Sequence, residues 1–286
     1  MSGSTHLGED DHSSQPDRDG SGWSSRFRVE TVAETGSTNA DLVGRASAGE
    51  PEGLVLRTDH QTAGRGRLDR RWDAPPGTNL LFSVLLRPGW PVERLMLVTS
   101  CMAVALVDVL GPRLDERADE WVAMVKWPND VLLVDRASGE PVGKVAGILA
   151  EMVARPAADG AGSPAVVVGM GVDVAWPGAG DDAPPGAVSL AGIGVEVEPP
   201  ALLDEVLEAF DGRLTVLGGA DGPASLRDAH RERSATVGRM VRAERDGEDL
   251  VGTAVDVGVD GSLVVEVADG SIVRVMAGDV VHLWVD

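Results

Sequence analysis

Short apolar runs alternate with longer segments of helical periodicity from residue 27 onward. Apolar or alternating runs of about four to eight residues are typical of strands, and apolar residues recurring every three or four positions are typical of helices. The pattern predicts helices at residues 40–46 and 93–110, and a third that Pro199 opens. It predicts strands at residues 27–33, 54–58, 80–86, 122–126, 131–134, 142–153, 165–168 and 172–174, the last two broken by Gly169 and Gly171. Together these elements predict an α+β domain.

The last fifty or so residues differ in character, because short β-branched runs there are separated by dipeptides that favour tight hairpin turns. The turn dipeptides are Asp246-Gly247, Asp260-Gly261, Asp269-Gly270 and Gly278-Asp279. Their spacing predicts a small five-stranded barrel at residues 235–286, after a larger domain at residues 23–234. Residues 1–22 are mostly Ser, Gly, Asp and His, which predicts a disordered tail.

The 286-residue chain has 25 basic and 46 acidic residues and a formal net charge of −21. Such a polyanion is a poor ligand for nucleic acid or an anionic membrane, because both bind through clustered cations. The single cysteine, Cys101, excludes an intrachain disulfide framework, and its apolar surroundings predict a core position. No apolar signal core or bilayer-length run stands out, so we expect a cytoplasmic protein without a membrane span.

Lysine and asparagine are scarce. The basic residues include two lysines, Lys126 and Lys144, and the asparagines are Asn39, Asn79 and Asn129. Where arginine predominates so strongly, each remaining lysine becomes a candidate for a role that the wider, planar guanidinium cannot fill.

An arginine-rich segment at residues 60–72 carries a local charge of +3 within this acidic chain. Its charged residues are Arg65, Arg67, Asp69, Arg70 and Arg71. Arginine forks grip phosphate or carboxylate in bidentate fashion, and the neighbouring Gly64 and Gly66 would let the backbone approach a ligand. Two interpretations stay open, a loop that closes on an anion and a flexible solvated loop. The segment does not match the dinucleotide-binding glycine fingerprint or a Walker sequence.

Two further segments combine the scarce residues with a constrained backbone. The sequence Lys126-Trp127-Pro128-Asn129-Asp130 would present a lysine, an asparagine and an aspartate at one rim of a rigid corner between strands. Lys144 interrupts an apolar strand, where an ammonium group is costly unless it meets an anion. For residues 126–130, the alternative without a function is a structural hairpin turn. Gly169 and Gly171 would either leave backbone room beside a ligand or only mark a bulge.

In their order along the chain, these segments resemble the biotin protein ligases, the biotin–[acetyl-CoA-carboxylase] ligases. The matching residues are Gly36-Ser37-Thr38-Asn39, Gln61, Gly64-Arg65-Gly66-Arg67, Trp72, residues 126–130, residues 143–151 and Gly169-Met170-Gly171. The resemblance covers about residues 26–286. It implies a class II aminoacyl-tRNA-synthetase-like, biotin/lipoyl-ligase catalytic domain with a mixed sheet and flanking helices, followed by an SH3-like barrel. Because it shows no winged-helix pattern, the chain resembles the monofunctional branch of the family.

The resemblance also implies a role for each candidate site residue. Biotin would be held by Ser37, Thr38, Asn39, Gln61, Arg65, Gly66, Arg67 and Lys144. ATP would meet Arg67, Arg70, Trp72, Lys126, Asn129 and Asp173, and Asp130 would hold Mg²⁺. Lys144 and Arg67 would be the catalytic residues. The chain departs from the family at Asp69, where glycine is frequent, so we expect a stiffer loop. It also departs at Asp173, where asparagine is usual, and a carboxylate there would either draw Mg²⁺ closer or be solvated.

The reaction implied by the resemblance has two steps. The carboxylate of biotin attacks the α-phosphate of ATP to give biotinoyl-5′-AMP and pyrophosphate, and a lysine of a biotin carboxyl carrier domain then attacks that anhydride. Both steps need phosphate charge to be offset while the nucleophile is aligned. The implied partner is the carrier domain of an acyl-CoA carboxylase, with no nucleic-acid or membrane partner, and a homodimer is left open.

Three alternatives stay in view. A lipoate-type protein ligase shares the fold and the adenylate strategy, but the segments around Arg65 and Trp127 favour biotin. A biotin-sensing regulator without enzymatic activity is disfavoured by the absence of a basic helix-turn-helix pattern. A catalytically dead scaffold is disfavoured by Lys126 and Lys144, since drift in so arginine-rich a chain would replace them.

Overall fold

The structure is a computed structural model that describes residues 26–67, 70–116, 120–154, 164–178, 180–244, 249–276 and 279–282. The predicted disordered tail at residues 1–22 lies outside the described residues. So do Asp69, the predicted turn at Asp246-Gly247, and Gly278 of the turn predicted at Gly278-Asp279.

A mixed seven-stranded sheet is the frame of the larger part of the described chain. Its strands are β1 (Arg28–Thr35), β2 (Leu54–Gln61), β3 (Leu80–Leu86), β4 (Trp121–Lys126), β5 (Asp130–Asp135), β6 (Pro141–Val153) and β7 (Ala165–Val172). They lie in the order β1-β2-β3-β7-β6-β5-β4. The β1–β2 pair is parallel and every other neighbouring pair is antiparallel. The predicted α+β class with a mixed sheet is therefore confirmed.

Helices cover both faces of this sheet. They are α1 (Thr38–Ser47), α2 (Val92–Leu95), α3 (Val98–Asp115), α4 (Pro199–Gly218) and α5 (Gly222–Glu232). Helix α1 begins where the side chain of Ser37 accepts the N–H of Ala40, and α4 begins with proline in its first turn, where a missing N–H costs nothing.

Strand β3 shows how the two faces are used. Because successive side chains of a strand point to opposite faces, Phe82 and Val84 pack into the main core with α3 and α4, whereas Leu85 packs against α1. Ser83 has the same orientation as Leu85 and is completely buried. The first turn of α1 therefore lies over a hydroxyl group of the sheet, and this is where the candidate site forms.

Three elements differ from the sequence-based prediction. The helix predicted at residues 93–110 is two helices, α2 and α3, separated by a turn at residues 96–97. The strands predicted at residues 165–168 and 172–174 are one continuous strand, β7, because Gly169 and Gly171 stay paired with strands on both sides. Helix α5 was not predicted; it carries few apolar residues and places Leu226 and Ala229 in the core.

The C-terminal part is a five-stranded antiparallel sheet in the described chain. Its strands are β8 (Met240–Glu244), β9 (Leu250–Val257), β10 (Leu263–Val267), β11 (Ile272–Val275) and β12 (Asp279–His282), in the order β11-β10-β9-β8-β12. Gly261 and Gly270 have φ angles of +81° and +83° between consecutive strands, so two of the predicted turns are confirmed.

Trp127 joins the two parts of the protein. It is 3% exposed and belongs to the hydrophobic core of the C-terminal sheet, although it lies in the turn between β4 and β5. Its indole N–H donates to the carbonyl of Gly261 at 2.9 Å, and its main-chain N–H donates to the hydroxyl of Thr236 at 3.0 Å. The C-terminal sheet thus packs around a residue next to the predicted site.

In the described chain one segment, Val92–Asp115, is long and apolar enough to cross a membrane by length and composition, which the sequence analysis did not predict. Its most apolar stretch is 67% buried inside the protein. Residues such as Cys101, Met102 and Leu106 have no exposed surface. The apolar character of this segment is therefore accounted for by the core, and the predicted core position of Cys101 is confirmed.

Candidate functional site

A cavity of about 310 Å³ lies on the α1 face of strands β3, β7 and β6, beside the arginine-rich loop. Nearly all of the predicted site residues line it. These are Ser37, Thr38, Asn39, Gln61, Arg65, Gly66, Arg67, Arg70, Trp72, Asn129, Asp130, Lys144 and Asp173. The structure therefore brings together side chains that are far apart along the chain.

A line of hydrogen bonds runs from the first turn of α1 into the sheet. The hydroxyls of Thr38 and Ser83 lie 2.7 Å apart, and Ser83 donates to Oδ1 of Asn39 at 2.6 Å. The side-chain carbonyl of Gln61 accepts the main-chain N–H of Thr38 at 2.9 Å, and the Thr38 hydroxyl lies 3.1 Å from the same oxygen. This network fixes the orientation of the Gln61 amide.

The carboxylate of Glu151 ties this network to the arginine-rich loop. Its Oε2 accepts Nδ2 of Asn39 at 2.8 Å and Nη2 of Arg65 at 2.8 Å. Asn39 also donates to the carbonyl of Leu149 at 3.1 Å. Because hydrogen bonds to a charged partner are stronger than neutral ones, Glu151 holds both a predicted biotin residue and the start of the loop.

A bulge in β6 explains how Lys144 reaches the cavity. The pairing of β6 with β5 shifts by one residue between Val131 and Leu132, opposite Val145. Val145 and Ala146 both pack into the main core. Lys144, three residues before Gly147, therefore comes to the same face as Gly147 and the cavity. Its side chain is 34% exposed, so the ammonium group is less buried than an apolar strand suggests.

Lys144 contacts an anion, as we predicted from the energetic cost of an ammonium group within an apolar strand. Its Nζ lies 2.7 Å from Oδ1 of Asp130 and 5.3 Å from the centre of the Trp72 ring, within cation–π range. Trp72 in turn covers Gly171, where an added Cβ would come within 2.6 Å of the indole. A Cβ at Gly169 would come within 2.1 Å of Oδ1 of Asn39. The two glycines thus make room for these side chains.

Arg67 reaches from the loop to the turn after β4. Its Nη1 donates to Oδ1 of Asn129 at 3.0 Å, and Nδ2 of Asn129 donates to the carbonyl of Ile148 at 3.0 Å. Arg67 therefore helps to position Asn129, and both residues were predicted to contact ATP.

Asp173 is 4% exposed, so a solvated carboxylate, one of the sequence-based interpretations, is excluded. Nδ2 of Asn79 donates to its Oδ1 at 2.8 Å. Burial raises the pKa of Asp173 to about 8, and the charge of Lys144 opposes that shift.

Lys126 does not belong to the cavity lining, in contrast to the prediction that it shares one rim with Asn129 and Asp130. It ends β4 opposite Asp130, and its charge helps to lower the pKa of His282 in the C-terminal sheet. Asp130 thus lines the cavity, whereas the charge of Lys126 reaches the C-terminal sheet.

Sequence reasoning missed Ser83, Asn79 and the contacts of Glu151. Ser83 lies in a strand that reads as uniformly apolar, and a polar residue at a buried position was the available signal. Asn79 is one of three asparagines, which marked it as unusual without indicating its partner.

Comparison with known proteins agrees with this geometry. Residues 34–173 match the Biotin/lipoate A/B protein ligase family, and residues 236–283 match the Biotin protein ligase C terminal domain. The Biotin--[acetyl-CoA-carboxylase] ligase of Mycobacterium tuberculosis is 38% identical over 92% of this chain and 91% of its own length. The chain belongs to the biotin protein ligase family.

Other members of the biotin protein ligase family extend the match. The Biotin--[acetyl-CoA-carboxylase] ligase of Paracoccus denitrificans is 34% identical over 82% of this chain and 92% of its own length. The biotin protein ligase of Aquifex aeolicus, solved in complex with biotin and ATP, is 23% identical and shares the fold with a TM-score of 0.71. That likeness covers 89% of this chain and 98% of the other. The biotin ligase fold, with a mixed sheet, helices and a C-terminal antiparallel sheet, is thereby established.

Proposed function

We propose that the protein is an ATP-dependent ligase that activates biotin as biotinoyl-5′-AMP and transfers it to a lysine of a biotin carboxyl carrier domain. The observation that carries the proposal is one cavity with a neutral hydrogen-bonding end at Thr38 and Gln61 and a cationic end at Lys144 and Arg67. A ligand that suits both ends has a neutral polar head and an anionic tail. Biotin has a ureido head and a carboxylate tail.

Counting hydroxyl hydrogens supports the neutral end. Ser83 uses its hydrogen on Asn39, so the one hydroxyl hydrogen of Thr38 is shared between Ser83 at 2.7 Å and the side-chain carbonyl of Gln61 at 3.1 Å. The oxygen of Thr38 is then an acceptor toward the cavity. Gln61, whose carbonyl is taken by the N–H of Thr38, offers its NH₂ as a donor. Adjacent N–H and C=O groups, as in a ureido ring, complement this pair.

The cationic end suits the adenylate. Lys144 on β6 and Arg67 on the loop both line the cavity, where they would contact a carboxylate attacking an α-phosphate. Their charge offsets the charge that builds up on the phosphate in the transition state. Arg65, Gly66, Arg70 and Trp72 would close over the anhydride and exclude water, which would otherwise hydrolyse it. Asn39 would act by orienting Ser83 and the loop.

Asp130 fits a magnesium ion that arrives with ATP. Its buried Oδ1 lies 2.7 Å from the Lys144 ammonium and has no other hydrogen-bond donor among the described residues. Mg²⁺ typically uses one or two carboxylates together with phosphate oxygens, and the described chain holds no cluster of three or more metal-binding side chains. When bound there, Mg²⁺ would neutralise phosphate charge, and Asp130 would hold it.

The finer architecture is part of the proposal. We assign residues 23–234 to the catalytic domain, of the class II aminoacyl-tRNA-synthetase-like type, and residues 235–286 to an SH3-like barrel. The antiparallel strands β8–β12 and the core around Trp127 support this division. Asn129 would contact ATP, whereas the position of Lys126 outside the cavity lining argues against a direct phosphate contact.

Release of pyrophosphate on mixing with ATP and biotin tests the activation step, and lipoate in place of biotin tests the second candidate. The donor and acceptor pair at Gln61 and Thr38 has no partner on the dithiolane ring of lipoate. We therefore expect ATP to release pyrophosphate with biotin and not with lipoate. Equal release with lipoate would overturn the choice of substrate. A regulator without enzymatic activity would release none.

A further inference from the structure

A carboxyl group that makes no ion pair with any described residue lies in the wall of the cavity. Asp173 follows β7 directly, and its backbone is held from two sides. Its N–H donates to the carbonyl of Val145 at 2.8 Å, and its carbonyl accepts the N–H of Leu190 at 3.0 Å. Among the described residues Lys144 is the cation whose charge reaches Asp173, but the ammonium pairs with Asp130 instead. The carboxyl group is therefore fixed in place and is not neutralised by a salt bridge.

Asn79 determines which atoms of Asp173 face the cavity. Its Oδ1 accepts the N–H of Val174 at 3.0 Å and that of Trp176 at 3.2 Å, so this end of the amide is an acceptor and the other end must donate. Nδ2 of Asn79 then donates to Oδ1 of Asp173 at 2.8 Å. One oxygen of Asp173 is committed to Asn79, and the other is left to the cavity that Asp173 lines.

A buried carboxylate with one neutral hydrogen bond is much less favourable than the corresponding acid. Burial accordingly raises the pKa of Asp173 to about 8, despite the opposing charge of Lys144. The groups packed around it are the amide of Asn79, the main chain at Val145 and Leu190, and the more distant Lys144. At neutral pH the side chain is therefore mostly the uncharged acid.

We propose that Asp173 binds substrate as a neutral acid, and that its second oxygen donates a hydrogen bond to an anionic oxygen of the biotin carboxylate or the nucleotide phosphates. This inference rests on the proposed function. In the acid form, the side chain has an acceptor toward Asn79 and a donor toward the cavity, as an asparagine amide would. An ionised Asp173 would place a second negative charge near Asp130, where it would repel the phosphates or act as a second magnesium ligand.

The first test is the pH dependence of pyrophosphate release in the first turnover, with biotin, ATP and Mg²⁺ but no carrier domain. In the wild type, the rate should decrease as the pH rises through about 8, by about tenfold per pH unit at the alkaline end, because the donating form is lost. Asp173→Asn keeps the donor and cannot ionise, so its rate should not show this decrease. The same alkaline decrease in both proteins, or no measurable release from Asp173→Asn at any pH, would overturn the proposal.

Thermal unfolding without substrates gives an independent readout. A carboxyl group whose pKa is higher in the folded than in the unfolded state stabilises the fold at low pH, and this contribution is lost as the pH rises through the folded value. The Tm of the wild type should therefore fall relative to that of Asp173→Asn as the pH rises from about 4 to about 8, and the difference should level off above that. Parallel curves would contradict the neutral acid. If the wild type releases no pyrophosphate at any pH, the proposed function fails, while the Tm comparison still decides the state of Asp173.

Discussion

The ammonium group of Lys144 and the carboxylate of Asp130 lie 2.7 Å apart, on neighbouring strands β6 and β5 of the sheet. The ring of Trp72 lies beside this pair, with its centre 5.3 Å from Nζ. Lys144 is thus confined between an anion and an aromatic ring, at the end of the cavity where the proposed reaction takes place. A compact ammonium group suits this gap.

Substituting Lys144→Arg should nearly abolish adenylate formation although the charge is retained. The wider, planar guanidinium cannot take the same place between Asp130 and Trp72. We expect pyrophosphate release to fall by roughly a hundredfold or more, with thermal stability close to the wild-type value. Near-normal release from this variant would remove Lys144 from the catalytic assignment.

The Arg67→Ala variant should lose its hold on the adenylate more than its affinity for biotin. Losing one charge-assisted hydrogen bond costs about 1.5–3 kcal/mol, or roughly ten- to a hundredfold in affinity. Leaked adenylate would then label amines of bystander proteins, which mass spectrometry detects. Arg136→Ala is the control, since Arg136 pairs with Asp115 at the surface and does not line the cavity. Strict selectivity for the carrier domain in the Arg67 variant would contradict the phosphate-clamp role.

Disturbing Trp127 should weaken ATP use although the residue lies outside the cavity. Trp127→Phe removes the hydrogen bond to Gly261 and loosens the turn that carries Asn129 and Asp130. We expect KM for ATP to rise several-fold, about 1 kcal/mol, with little change in KM for biotin. Trp121→Phe makes the same replacement at the other end of β4 and should alter neither. If both KM values of the Trp127 variant rose equally, the turn would have no specific connection with ATP.

Acid should destabilise the protein through His230. This ring is 1% exposed and hydrogen-bonded to Ser100 at 2.5 Å, and burial lowers its pKa to about 4. Because the unfolded chain takes up the proton first, stability is full above about pH 6.5 and is lost as the pH falls toward 4. Between about pH 7.5 and pH 5, His230 should account for about 2 kcal/mol of lost unfolding free energy.

Urea unfolding of His230→Gln at the two pH values measures this share. The variant should lose less stability on acidification than the wild type. His282, whose pKa burial and nearby cations also lower to about 4, keeps its contribution in both proteins. An unchanged acid response in His230→Gln would contradict the buried neutral ring.

The sequence predicted the residues of the site better than their relationships. Ser37, Gln61, Arg67 and Lys144 stand in local motifs, so they were identifiable one by one. Their partners depend on sheet register, which no local pattern reveals. Ser83 meets Asn39 only because β3 and α1 share a face, and Glu151 meets Arg65 across 86 positions of sequence.

The same reason explains the errors in the fold. Gly169 and Gly171 were expected to break a strand, but pairing on both sides keeps β7 continuous. Lys126 was expected beside Asp130, and the hairpin register confirms the neighbourhood, although Lys126 does not line the cavity. The shift of pairing opposite Val145, on which the position of Lys144 depends, cannot be read from residue types.

The central claim, transfer of biotin to a carrier protein, is tested most directly by the intact mass of a biotin carboxyl carrier domain. The domain is incubated with the protein, biotin and ATP with Mg²⁺, and a parallel sample omits ATP. The account predicts that the mass increases by one biotinyl group on a single lysine, only when ATP is present. As a control, the same carrier domain is shown to be modified by an established biotin ligase. If this folded protein then leaves the mass of that domain unchanged, the account is contradicted.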